Sequence, residues 1–166
     1  MVQGASRGAT RNQRQLWSFT LSTPNLEKAI SAVPLINALG GVSVVSASPG
    51  AVSLALNAGP AIQNHAGQAH TAALFALGEL AAGVVLQTHP ELAGLQQLQR
   101  ASGIRYLRPC ATPPTAIANV TEPVLTNIQN SIARDGQAKV EMIVSLVDGT
   151  ETEVAEVVAV FSIKRP

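Results

Sequence analysis

Apolar positions recur with different periods along this chain. From Asn64 to Gly83 (NHAGQAHTAALFALGELAAG) apolar and small residues run with almost no polar face. That pattern predicts a helix from about Gln68 to Ala82, buried on nearly every side. Leu26, Ile30, Val33 and Ile36 or Leu39 recur at helical spacing behind Thr23-Pro24-Asn25-Leu26-Glu27, where Thr23 can cap and Pro24 suits the first turn. Pro34 is expected to kink this first helix and Gly40-Gly41 to end it. Elsewhere the chain alternates or turns β-branched. Val42–Ala47 and Ala51–Asn57 flank Ser48-Pro49-Gly50 and predict a hairpin. Leu95–Cys110 predicts a long strand, joined through Thr112-Pro113-Pro114 to another over Thr115–Thr121. Ala138–Val147 and Thr152–Ile163 predict a hairpin around Asp148-Gly149-Thr150. Val84–Thr88 fits a continued helix or a strand, and Val124–Arg134 is ambiguous.

The order is therefore helix, hairpin, buried helix, then four strands. Late strands on short turns give an antiparallel sheet. A helix apolar on most sides needs cover on more than one, which a curved sheet wrapped around it provides. The predicted class is α+β.

Composition narrows the function classes. Apolar residues make up 46% of the chain and charged residues 13%, too apolar for disorder and sparse enough in charge to expect burial against another subunit. A formal net charge of +1 and 3% aromatic residues argue against nucleic-acid binding. No run reaches the ~18 apolar residues of a membrane span, and a cytoplasmic location is expected. The lone Cys110 excludes an intramolecular disulfide. His65 and His70 have no third ligand in reach along the chain, so neither metal nor cofactor is expected. Neither a phosphate loop nor a Gly-x-Ser-x-Gly elbow occurs. Met1–Gln15 holds Arg7, Arg11 and Arg14 and no acid. Residues 1–20 read as a flexible polar tail, with a targeting peptide as the alternative, and residues 21–166 as a single domain.

Chemistry concentrates on the predicted buried helix. Glu79 is its only charge, and Asn64, His65, Gln68 and His70 stand at its entrance. A buried carboxylate is costly unless paired or used. Asn64 could orient a water or cap a turn, and His70 suits a helix-start donor better than a base. Arg100, Arg105 and Arg108 lie on the predicted long strand. Arg100 and Arg108 share a parity and hence a face of a regular strand, where they could meet a phosphate.

At these residues the chain resembles the hotdog-fold superfamily, in particular its PaaI-like and 4-hydroxybenzoyl-CoA thioesterases. Asn64, His70 six residues later and Glu79 nine after that keep that family's spacing, and Tyr106-Leu107-Arg108-Pro109-Cys110-Ala111 is similar to its apolar strand ending in Leu-Arg-Pro-Ala. The resemblance in element order covers roughly Gly40 to Ile163. It implies a curved sheet around a central helix and hydrolysis of an acyl thioester carried by CoA or acyl-carrier protein. Glu79 would be base or nucleophile, the amide at Thr71 would polarise the carbonyl, and Asn64, His70 and Gln68 would complete the entrance. Thr71-Ala72 replaces the family's Gly-Gly pair, and its helper hydroxyl aligns near Gln99. Eight residues of helix separate Thr71 from Glu79 by about 12 Å at ~1.5 Å per residue. Both cannot reach one carbonyl, so the expected site joins two subunits of a dimer or dimer of dimers. Two other readings stand beside this one. One is a catalytically silent acyl-binding or scaffold hotdog module. The other is a β-hydroxyacyl dehydratase, in which His65 would precede its partner Glu79 by fourteen residues.

Overall fold

The computed structural model describes residues 23–166, with side chains from Asn25 onward. The expected tail over residues 1–20 and the side chains of Thr23 and Pro24 lie outside this range. The elements run α1 (Thr23–Ser31), α2 (Pro34–Ala38), β1 (Val42–Ser48), β2 (Ala51–Leu56), α3 (Thr71–Gln87), β3 (Gln96–Tyr106), β4 (Thr115–Asn119), α4 (Glu122–Asp135), β5 (Gln137–Val147) and β6 (Glu153–Lys164). Short 3-10 turns at Pro60–Ile62 and Pro90–Leu92 bracket α3. The sheet has 6 strands in the order β1-β2-β4-β5-β6-β3, and every pairing is antiparallel. It wraps around α3, which touches β2, β4, β5, β6 and β3 in turn. This is the curved sheet around a central helix that the buried helix and late strands predicted, and the hotdog arrangement that the resemblance implied.

Several elements differ from expectation. Pro34 ends the first helix, and a separate short helix starts there, because proline cannot donate to the preceding turn. Val84 to Gln87 continue α3. The ambiguous Val124–Arg134 stretch is helical. Pro123 sits in the first turn of α4, Leu125, Ile128 and Ile132 bury one stripe, and Gly136 closes the helix in the left-handed conformation (φ 73). β3 and β4 follow one another in the chain but are not neighbours: β3 pairs with β6 and so becomes an edge strand. In the β5–β6 turn the left-handed position falls to Glu151 (φ 61) rather than to Gly149.

One packing contact sets the distance from helix to sheet. Gly78 is buried against β6, where a Cβ would lie 2.4 Å from Val157 Cγ2. Glycine in a helix interior costs about 1 kcal/mol relative to alanine, so its presence here reflects the close approach. Both ends of α3 are also tied. At the start, Ala69 N–H donates to Cys110 O at 2.8 Å and His70 N–H to Ile62 O at 2.7 Å. At the end, Thr88 Oγ1 accepts from Gly50 N–H at 2.8 Å and donates to Val85 O at 2.7 Å, joining the helix to the β1–β2 turn.

Gly78→Ala is expected to lower stability by about 1–2 kcal/mol, as overpacking against Val157 outweighs the gain in helix propensity. Urea unfolding would read the change. A stabilised variant would show that the helix sits farther from the sheet than described.

Candidate active site

Glu79 follows Gly78 directly, so the close approach at Gly78 also brings the carboxylate down to the sheet. Its helix face is the incompletely buried one: Thr71 and Ala72 are exposed, and Phe75, Ala76, Glu79, Leu80 and Gly83 are half-buried. An otherwise apolar helix thus keeps one uncovered stripe, and Glu79 lies in it.

Two donors from β3 meet this carboxylate on the same oxygen. Gln99 Nε2 donates to Glu79 Oε1 at 2.5 Å, and Ser102 Oγ donates to the same atom. Glu79 Oε2 has no partner among the described residues, and no Lys, Arg or His there forms an ion pair with the group. The arrangement leaves one oxygen fixed and the other open.

A β-bulge makes this pair of donors. Gln99 stands opposite Phe161 and Ala101 opposite Val160, so Arg100 is an extra residue in β3. In a regular strand residues 99 and 102 would face opposite sides. With one residue inserted, both face the helix: Gln99 aligns with Phe161 and Val140, and Ser102 with Ala159 and Met142. The hydroxyl that reaches Glu79 is therefore that of Ser102, three residues beyond the position inferred from a gap-free alignment on Pro109, and Gln99 donates beside it. Sequence reading missed Ser102 because, without the bulge, parity sets residues 99 and 102 on opposite faces; the small Ala101-Ser102-Gly103 run on a long strand was the available cue. The same bulge corrects the expectation that Arg100 and Arg108 share a face. Arg100 is the inserted residue, and Arg108 lies past the end of β3 at Tyr106. Arg105 faces away from the helix and pairs with Glu156 at 3.3 Å.

The helix entrance is built from local hydrogen bonds. Asn64 Oδ1 accepts from Ala66 N–H at 2.9 Å and Gln68 N–H at 3.1 Å, and Gln68 O accepts from Asn64 N–H at 2.7 Å. Asn64 thus closes the turn that leads into α3. His70 is the N-cap, and its Nδ1 accepts from Ala72 N–H at 3.1 Å, so its side chain is an acceptor here rather than the expected donor. That contact occupies the Ala72 amide, whereas the Thr71 N–H has no acceptor among the described residues. Tyr106 Oη donates to Thr71 O at 3.2 Å and ties the end of β3 to the same turn. His65 is exposed in the loop, away from any partner among the described residues, and Gln68 is half-buried beside it. Cys110 is buried and donates to Thr112 O at 3.0 Å; burial holds its thiol above the usual range. No cluster of three metal-ligating side chains occurs among the described residues.

Residues 28–163 match the family described as domain of unknown function DUF4442. The chain belongs to that family. No curated protein matches its sequence. Among solved structures, a Pseudomonas aeruginosa protein of unknown function, named a probable thioesterase, superposes with a TM-score of 0.79 at 22% identity, over 89% of this chain and 98% of that one. A Chlorobaculum tepidum protein of unknown function gives 0.74 at 17% identity, over 87% and 94%. A thioesterase from Haemophilus influenzae gives 0.68 at 14% identity, over 91% and 96%. These likenesses establish the hotdog fold for this family member.

Asn64→Ala removes an acceptor from two backbone N–H groups and is expected to cost about 1–2 kcal/mol. Thermal melting would register it. An unchanged melting temperature would show that the turn before α3 does not depend on this side chain.

Proposed function

We propose that this chain is an acyl-thioesterase of the PaaI-like kind, acting on acyl-CoA or acyl-carrier protein in the cytoplasm. The observation that carries this reading is Glu79: half-buried, without a cation, one oxygen held by Gln99 and Ser102 and the other open. In the proposed reaction, the open oxygen takes a proton from water as the water oxygen attacks the thioester carbonyl. The tetrahedral intermediate collapses, the carbon–sulfur bond breaks, and the departing thiolate recovers the proton from Glu79. Attack by the carboxylate itself, followed by hydrolysis of the anhydride, uses the same geometry.

The developing oxyanion needs a donor, and the Thr71 N–H at the positive end of α3 suits it. Within one chain that amide lies about 12 Å along the helix from Glu79. The reading therefore places the Thr71 amide of one subunit against Glu79 of another. Two surfaces support this pairing: the incompletely buried stripe of α3 and the outer edge of β3, whose backbone groups beside the carboxylate have no strand partner among the described residues. Either a dimer or a dimer of dimers fulfils it. No described helix is long and apolar enough to cross a membrane.

Glu79→Gln is expected to reduce hydrolysis of acyl-CoA by ~100-fold or more while substrate still binds. Undiminished hydrolysis would exclude Glu79 as the catalytic carboxylate, and a wild type silent on every thioester would favour a binding module.

Thr71→Pro tests the second half of the site. Proline is tolerated at the first helical position, and His70 already has the extended backbone (φ -67, ψ 140) that a following proline requires. The variant should fold but lose turnover. Mixing it with Glu79→Gln under subunit exchange should restore about a quarter of wild-type activity, since half the dimers are mixed and each holds one intact site. No recovery despite demonstrated exchange would place both groups of each site in one chain.

A further inference from the structure

The net charge of the chain conceals a separation of charge along the sheet. The β5–β6 turn end carries Asp148, Glu151, Glu153 and Glu156 against Arg105 and Arg108. At the opposite end, Arg100, Arg134, Lys139, Lys164 and Arg165 come together, with Asp135 and Glu141 as the acids. Register sets Gln96, Lys164 and Gln137 in one row, and Leu98, Ser162 and Lys139 in the next.

A cleft of about 630 Å³ opens at this basic end, lined by Arg100, Ser131, Asp135, Gln137, Lys139 and Ser162. Its one acid is already engaged, because Arg134 holds Asp135 through Nε and Nη2 at 2.8–3.1 Å. Arg100, Lys139 and Lys164 have no carboxylate partner among the described residues. Two free cations, two hydroxyls and an amide around one concavity form a donor-rich lining suited to a phosphate. The volume falls within the roughly 300–1,000 Å³ of small-ligand sites.

The cleft lies on the face of the sheet opposite Glu79: Lys139 and Ser162 pair with one another and alternate with the core-facing Val140 and Phe161, so their side chains point away from α3.

We propose that this cleft binds the phosphate of a nucleotide-sized ligand through Arg100 and Lys139, at a site separate from Glu79.

Calorimetric titration with adenosine 3′,5′-bisphosphate tests the site without requiring turnover. Saturable binding is expected, weakening with added salt, and adenosine lacking phosphate should not bind. Affinity should fall on the order of tenfold in Arg100→Ala and in Lys139→Ala, but remain at the wild-type value in Arg105→Ala, whose guanidinium pairs with Glu156 elsewhere. Failure of the bisphosphate to bind, or equal binding by wild type and the two cleft variants, would overturn the proposal. Phosphate-dependent binding without hydrolysis of any thioester would uphold the cleft and remove the thioesterase reading.

Discussion

The close contact between Gly78 and Val157 is the constraint on which the remaining geometry depends. A central helix inside a curved sheet must approach it closely enough to exclude water, yet carry side chains large enough to fill the layer between them. Most of α3 meets the second demand with Leu74, Leu77, Val84, Val85 and Leu86, all buried. At residue 78 the first demand prevails, and any Cβ would collide with β6. Close packing transmits such a distance along a rigid helix. Glu79 inherits it by being the next residue, which is why a short glutamine and a serine on β3 can both reach its carboxylate.

That contact explains how an acid survives on so apolar a helix. Full burial of an unpaired carboxylate would cost several kcal/mol. Here the group sits at the boundary, with donors on one side and the uncovered stripe of α3 on the other. The fold tolerates the acid because two hydrogen bonds replace part of its hydration and the open oxygen keeps access to water. The same open oxygen is what the proposed hydrolysis requires, so one environment serves both stability and reactivity.

Much of this architecture was legible in the sequence, for definite physical reasons. The continuous apolar stretch of α3 leaves little alternative to burial, and the Asp148-Gly149 turn between alternating strands leaves little alternative to a hairpin. Glu79 stood out because it is the single charge in that stretch. What escaped was information carried by tertiary pairing. Val124–Arg134 does carry a helix signal, with Leu125, Ile128 and Ile132 at i, i+3 and i+7 between Pro123 and Gly136, and packing of that stripe on the core decides it. Nothing in β3 itself announces that it will skip β4 and pair with β6. Nor does Arg100 announce a bulge, since a bulge belongs to the pairing of two strands rather than to either one.

The bulge shows how one unreadable residue can reorganise a site. Without it, Gln99 and Ser102 would lie on opposite faces, and Glu79 would have a single donor. With it, both turn inward while Arg100 is displaced toward the basic end of the sheet, so one local irregularity assembles the carboxylate's support and supplies a cation to the cleft on the opposite face. Bulges are favoured on edge strands, where no second partner opposes the distortion. β3 is such an edge, and the proposed dimer would set another chain beside it. The irregularity would then have to be accommodated across the interface as well as within it, which ties the geometry of the carboxylate to the way two copies meet.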